Sequence, residues 1–475
     1  YMGYDAGVAG PSDFEAGHRV YDRVAREMRK AGVPFLAGNA VSERTGKGYL
    51  PAYSIVRKGG VKVAVLGYTN AANASLMDAS CVSGISFKSL LPLVQEDVDK
   101  VRSKEKPQVV IVVAHTSMGK GDGQNLERQG LDLFNSLKGV DVLVTGHDHT
   151  TKVLKTDSTV LLDCGRAGQY ACLADIKLVV RGGKVISRSL SGEVESFGSE
   201  NYDTAMEEAF KSDYEKVRDF NTSHVGEVKK DLVSREFYYR QCDYMNFLHA
   251  LAFSAWPVDI SLSATLLIDG MVPAGEVRYQ DIRKIYPYDN KLIVLRLTGA
   301  EILRYLEASY DAWISTVPGP SEGSHVLRIT QTKDYATGGM KWKLAKSPAN
   351  FDSAAGIRYT VDVTKPYGSR VTVSGMADGS PFEMDKYYSA AITSYRSTGS
   401  GGLMKAAGLM DARSVEDRII YRGPEFRTIL YRYLKKHGSI DPVVVGDPNV
   451  VGSWRFVPDF APEAIKADVE LIYGK

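Results

Sequence analysis

Histidine is scarce in this chain, with eight among 475 residues, and cysteine is scarcer, with four. Cys81, Cys164, Cys172 and Cys242 show no CxxC spacing, which excludes a zinc ribbon or a thioredoxin-type motif and leaves the redox compartment open. Neither sign of charge is in excess: 59 Lys and Arg against 57 Asp and Glu leave a formal net charge of +2. No basic stripe therefore argues for nucleic acid, and no acidic tail is present. No apolar run approaches the roughly 18 residues that span a bilayer, so no membrane span is expected. The Gly-rich run at 398–402 lacks the lysine of a P-loop and reads as a turn that lets backbone approach closely. Ser394 and Ser400 have no partnered His and Asp, which argues against a serine hydrolase. Tyr1 is neither an initiator nor part of a leader, so the expectation is a chain that starts downstream of its natural beginning.

What is present is enough apolar material, 44% of the residues, to bury two substantial cores, and two domains are expected. The first half alternates short β-branched runs (33–41, 53–56, 61–68, 109–115, 141–146) with helical spacing over 18–31 and 124–138. Val20, Val24 and Met28 fall on one predicted helix face, and Gly32 follows as a stop signal. Strands at 159–163, 172–180 and 184–189, the last two joined by a tight turn at Arg181-Gly-Gly183, suggest a second, antiparallel sheet. Residues 199–219 are polar and acidic, with Met206, Phe210 and Val217 among charged neighbours, and read as a surface linker helix. Beyond it lie a helical stretch at 244–254 and apolar runs over 285–297. Thr298 and Glu301 then have the spacing of a capping box.

Three of the eight histidines stand just past apolar runs: His115, and His147 with His149 in Gly146-His-Asp-His149. Neutral imidazole is a ready ligand for zinc, manganese or iron. Two histidines at i and i+2 in extended backbone point to the same side, about 6–7 Å apart, and each could serve one ion of a pair. The plainer alternative is a pair of loop histidines bonded to backbone. Asp148 between them would face the other way.

The order of segments resembles the 5′-nucleotidase family. The matching stretches are Met2-Gly-Tyr-Asp-Ala6 with 10–17, Phe35-Leu-Ala-Gly-Asn39, 63–67, Ala114-His-Thr-Ser117, Gly146-His-Asp-His149, Pro287-Tyr-Asp-Asn290, Leu297-Thr-Gly299 and Ser394-Tyr-Arg396. The resemblance implies an α/β fold: a four-layer αββα metallophosphoesterase-like sandwich over 1–198 and a linker helix over 199–222. An α+β nucleotide-recognition domain would follow over 223–437, with a C-terminal tail over 438–475. It implies a hydrolase of nucleotides or other small phosphoesters, with a role in nucleotide catabolism and a periplasmic or cell-surface location.

By the same resemblance His115 and His147 would bind one divalent metal, zinc or manganese, and His149 a second. The family's Asp-x-His and Gly-Asp strands lie upstream of where this sequence begins, so one ion or none is expected. Pro11 and Ser12 replace a metal-binding Asn and a transition-state His, and only Asp13 of the acid and histidine pair remains. Read from residues alone, Pro11, Ser12 and Asp13 start a helix. In the second domain the family positions imply a base clamp at Phe351 and Tyr395, with Arg240 near the ribose or phosphate and Asn290, in the Pro287-Tyr-Asp-Asn290 turn, facing the same pocket. The family's Asn-Gly-Gly-x-Arg appears as Ser263-Ala-Thr-Leu-Leu267, without its arginine. The expected function is a 5′-nucleotidase-type phosphoesterase with weak or no turnover, or an inactive nucleotide-binding relative.

Overall fold

A computed structural model describes residues 2–77, 79–182, 184–198, 203–320, 323–333, 339–441 and 445–474. The chain divides into two compact units, Tyr1–Ala209 and Phe210–Lys475.

The first unit opens with α1 (Pro11–Glu15) and α2 (His18–Lys30). The buried face of α2 carries Tyr21 and Ala25, while Val24 is exposed, so the expected Val20, Val24, Met28 stripe is rotated by one residue. The reason is local: the Tyr21 ring packs on Phe14 and its hydroxyl bonds His18 Nδ1 at 2.7 Å, which turns that face inward.

A six-stranded sheet forms the centre of this unit. Its strands are β1 (Tyr53–Lys58), β2 (Val61–Tyr68), β3 (Val109–Ala114), β4 (Val142–Thr145), β5 (Thr151–Lys155) and β6 (Val160–Cys164), in the order β1-β2-β3-β4-β6-β5. The four inner strands are parallel and the two edge strands antiparallel to them. Alternation gives the sheet two apolar faces. Ala64, Leu66, Val110 and Val112 pack with Leu90, Val94, Val98 and Val101 of α3 (Leu90–Glu105), a helix beyond those the spacing predicts. Val142, Val160 and Leu162 pack on the opposite side with Cys172 and Ile176. Those two residues lie on the hairpin of β7 (Tyr170–Arg181) and β8 (Lys184–Ser196), which forms the expected antiparallel layer. Its turn residue Gly183, like 199–202 of the proposed linker, lies outside the described residues. In the stretch 124–138 only α4 (Gly130–Ser136) is helical. Next, α5 (Thr204–Asn221) buries none of its residues, as its charge pattern predicts.

In the second unit the sheet comprises β9 (Ile260–Ala264), β10 (Lys291–Thr298), β11 (Asp352–Ala355), β13 (Tyr387–Thr393) and β14 (Ile419–Glu425), in the order β11-β9-β13-β10-β14; β12 (Ile357–Asp362) lies outside it. Helix α6 (Asp243–Ala255) packs on β9, and α7 (Gly299–Trp313) starts at the expected capping box. The Thr298 hydroxyl accepts from Glu301 N at 3.2 Å, and Glu301 accepts from Thr298 N at 2.7 Å. Residues beyond 437 are not a loose tail. Strand β15 (Trp454–Val457) pairs in parallel with β12, and α8 (Phe460–Tyr473) sends Ala461, Ile465 and Val469 into the main core.

Within that core His249 is fully buried between two hydroxyls, Ser261 at 2.9 Å and Ser353 at 3.1 Å. Burial, partly opposed by the Asp352 charge, pushes its pKa down to about 4. The unfolded chain takes up this proton near pH 6.5 and the folded one only near 4, so stability falls as pH drops through that window. The expected loss is roughly 3 kcal/mol. Urea unfolding at stepped pH, compared with the same series for His249→Asn, measures it; a variant with the same pH dependence as the parent would refute the assignment.

Candidate functional site

Two places in the molecule gather chemistry, one in each unit. In the first, β3 and β4 run parallel with Ala114 beside Thr145, so the residues after each strand emerge at one edge of the sheet. His115 is anchored there by its N–H, which donates to Tyr68 O at 2.9 Å. Its ring meets that of His147 edge-on, centroids 5.3 Å apart. The ring also lies against Gly10, where a Cβ would come within 2.9 Å of His115 Cε1. Burial first, then the neighbouring His147 and His149, pushes the His115 pKa down to about 4. His115 and His147 thus lie ring to ring past β3 and β4, with His149 near enough to bear on the His115 charge.

Its geometry differs from the expectation. Strand β4 ends at Thr145, and His147 (φ 115°) and His149 (φ 60°) occupy left-handed backbone, so the i, i+2 alternation of a strand does not apply. His147 Nε2 contacts Glu127 Oε1 at 3.0 Å, a partner that sequence spacing did not single out, and His149 is exposed. Asp148 is structural: its carboxylate accepts from Met118 N at 3.2 Å and from the Thr150 hydroxyl at 3.3 Å. Asp163, at the end of β6, is pushed up to about 6 by burial and then by the Asp148 charge. Asp13 accepts from Gly10 N at 2.8 Å across the first turn of α1, which is the capping role its sequence context suggests.

A tetrahedral zinc site needs imidazole nitrogens within about 2.0–2.1 Å of a common point. Among the described residues no three His, Cys, Asp or Glu side chains converge in that way. With His147 turned onto Glu127 and His149 on an exposed turn, the donors as placed do not fit the divalent ion implied by the resemblance.

The second place is a cavity of about 200 Å³ inside the second unit. Leu262, Ala264, Leu266 and Ala349 give it apolar walls, and Tyr288, Asn290 and Tyr395 stand at its margin. Both tyrosines keep free ring area, at 46% and 43% exposure. The turn bearing Tyr288 and Asn290 is held by Arg427, which donates to Tyr286 O at 3.0 Å, to Pro287 O and to Asp289.

Tyr395 is set by its neighbour in the chain. The Arg396 guanidinium lies 5.3 Å from the Tyr395 ring centroid and is itself 2% exposed. All five of its N–H groups are used. Nε and Nη2 form a two-pronged pair with Asp352, the Nε bond at 3.0 Å; Nη2 also reaches Ala349 O at 2.5 Å. Nη1 donates to Asn350 Oδ1 at 2.8 Å and Ser400 O at 3.1 Å. Burial alone would lower the Arg396 pKa, but the Asp352 carboxylate outweighs it and the net shift is upward. The composition of the Gly-rich loop has its reason here. Gly401 (φ 78°) has room for no side chain, since a Cβ would sit 2.3 Å from Asn350 Oδ1 and 2.4 Å from Arg396 Nη1.

Two expected ligand contacts are corrected. Phe351 has no exposed surface; its ring stacks on Trp313 in the core, centroids 5.4 Å apart and planes 6° apart, so it offers the cavity no face. Its sequence position just before β11, a strand buried at every residue, draws it inward. Arg240 is exposed, paired with Glu236 one helical turn back, and does not line the cavity. The aromatic partner of Tyr395 at the cavity is Tyr288, which was visible as the second residue of Pro287-Tyr-Asp-Asn290.

Residues 223–408 match the family model of the 5′-nucleotidase, C-terminal domain. That segment belongs to this family. The chain as a whole is similar to proteins of the 5′-nucleotidase kind. It is 22% identical over 500 residues to the trifunctional nucleotide phosphoesterase protein YfkN of Bacillus subtilis, covering 92% of this chain and 32% of that protein. It is 21% identical over 484 residues to the 5′-nucleotidase of Vibrio vulnificus, covering 93% of this chain and 78% of that one. The solved structure of a 5′-nucleotidase precursor from Thermus thermophilus superposes with a TM-score of 0.54 at 19% identity, covering 96% of this chain and 84% of that chain. The superposition shows the expected fold class, an α/β metallophosphoesterase-like unit followed by an α+β unit. Among the described residues no helix is long and apolar enough to cross a membrane.

Proposed function

We propose that this chain binds nucleotides or nucleosides in the cavity of its second unit, and that its 5′-nucleotidase-type phosphoester hydrolysis is slow or absent. One observation carries the reading: an apolar slot flanked by two partly exposed tyrosine rings and an asparagine, inside the segment that matches the nucleotidase C-terminal domain. Stacking on aromatic faces with one amide for hydrogen bonding is an economical way to hold a nucleobase. At about 200 Å³ the cavity falls below the ~300–1,000 Å³ typical of drug-sized ligands and suits one ring system rather than a dinucleotide.

Hydrolysis in such relatives draws on a divalent ion of the zinc or manganese kind, which supplies hydroxide and neutralises phosphoryl oxygens. The resemblance gives the imidazole donors as His115, His147 and His149, which as placed do not converge on an ion. His147 is engaged by Glu127, and Asp13 caps a helix, which favours the inactive nucleotide-binding relative over the working phosphoesterase. The Cys164–Cys172 disulfide supports a periplasmic or cell-surface location, where such bonds persist.

Hydrolysis of AMP and of a UDP-sugar with added manganese, cobalt or zinc, alongside calorimetric binding of the same ligands, tests the proposal. The expectation is measurable binding with turnover below about 0.01 s⁻¹, against the ~1–10³ s⁻¹ usual for enzymes. Metal-dependent turnover in that usual range would overturn the slow-hydrolysis half.

A further inference from the structure

The polar groups around the second-unit cavity differ in how much of their hydrogen-bonding capacity is still open to a ligand. Arg396 is the only cation among the described residues that line it. All five of its N–H groups are already donated inside the protein, and its charge is matched by Asp352, which is 1% exposed. Asp352 also accepts from the Tyr305 hydroxyl at 2.5 Å, so its charge is answered from two sides inside the protein. Arg427 holds the neighbouring turn but is committed to the Tyr286 and Pro287 carbonyls and to Asp289. The wall toward the Ser263-Ala-Thr-Leu-Leu267 stretch is built from Leu262, Ser263, Ala264 and Leu266, with the Ser263 hydroxyl donating to Ala264 O at 3.3 Å.

A phosphate is held by charge-assisted bonds, roughly twice as strong as neutral ones, from Arg, Lys or a helix N-terminus aimed at it. A cavity whose one guanidinium is fully engaged, whose Ser263 and Thr393 hydroxyls already bond backbone, and whose other walls are mainly apolar offers a phosphate less than water does. It offers a nucleoside two ring faces and the part of the Asn290 amide that its bond to the Tyr286 hydroxyl leaves over. Resting on the reading of this cavity as a nucleobase pocket, we infer that it recognises the uncharged nucleoside alone and is indifferent to the phosphate. Free nucleosides then bind as tightly as their monophosphates.

Calorimetric titration of the full chain with adenosine and with AMP, in EDTA at low and at high salt, tests this. Chelation keeps divalent ions in solution from pairing with the AMP phosphate. The expected result is equal affinity for the two ligands within about threefold and little change with salt, since no counter-charge is screened. Tyr395→Ala is expected to weaken both ligands by the same factor, roughly tenfold. AMP binding tenfold or more tighter than adenosine, with that preference shrinking at high salt, would overturn the inference and leave the base-pocket reading standing. A Tyr395→Ala variant that loses AMP but not adenosine would overturn it too. If neither ligand binds the parent chain, the pocket reading itself fails and the inference falls with it.

Discussion

Arg396→Ala is expected to destabilise the second unit by about 3–5 kcal/mol, the range for stripping one partner from a buried ion pair. The cost comes from the groups left behind. Asp352, 1% exposed, keeps its charge with only the Tyr305 hydroxyl to answer it, while the Ala349 and Ser400 carbonyls and the Asn350 amide each lose a donor. Arg396→Lys recovers little, because an ammonium has three N–H groups where five acceptor contacts wait in fixed directions. The measurement is clean, since all four tryptophans (Trp256, Trp313, Trp342 and Trp454) lie in the second unit. Urea unfolding followed by tryptophan fluorescence therefore reports that unit without interference from the first. In the double variant Arg396→Ala/Asp352→Ala the loss should be smaller than the sum of the two single losses, because the orphaned charge is gone. A single Arg396→Ala cost below about 1 kcal/mol would show that the pair is not the internal anchor described.

The same region shows how far sequence reading carries in this chain. Strands deep in the first sheet were legible because uninterrupted β-branched runs such as Val61–Tyr68 and Val109–Ala114 have few other places to go. Those runs also fixed which edge receives His115 and His147. The orientation of the histidines was not legible. Period-two alternation holds only while the strand continues, and the chain leaves it at Gly146, so alternation cannot be carried on to His147 and His149.

In the second unit, aromatic residues are too plentiful for type alone to tell a clamp from a core. Phe351 and Tyr288 differ in the backbone that carries them. Phe351 leads into a strand with both faces covered, whereas Tyr288 sits in a Pro-Tyr-Asp-Asn turn, where side chains reach the surface. Residues 438–475 hid their role in another way. Gly, Pro and Asp around positions 441–452 read as loose chain, while the residues that dock it, Trp454, Phe456 and Ile465, are few and widely spaced.

Phe351→Ala and Tyr288→Ala are expected to behave as opposites. Removing the Phe351 ring empties a fully buried site against Trp313, and large-to-small changes of that kind cost about 3–5 kcal/mol. The folded fraction of Phe351→Ala, assayed below its unfolding transition, should still bind adenosine within a few-fold of the parent. Tyr288→Ala removes a ring that is 46% exposed, so its stability cost should stay under about 1 kcal/mol. Nucleoside affinity should instead fall by roughly tenfold, the lower part of the range for losing one stacked base contact. Urea midpoints and adenosine titrations on the two variants place each residue on one axis or the other. Had the clamp been Phe351 as the family resemblance implies, the pattern would invert, with Phe351→Ala losing ligand at near-parent stability. That inversion would return Phe351 to the pocket and remove Tyr288 from it, and with it the two-tyrosine slot on which the nucleoside assignment stands.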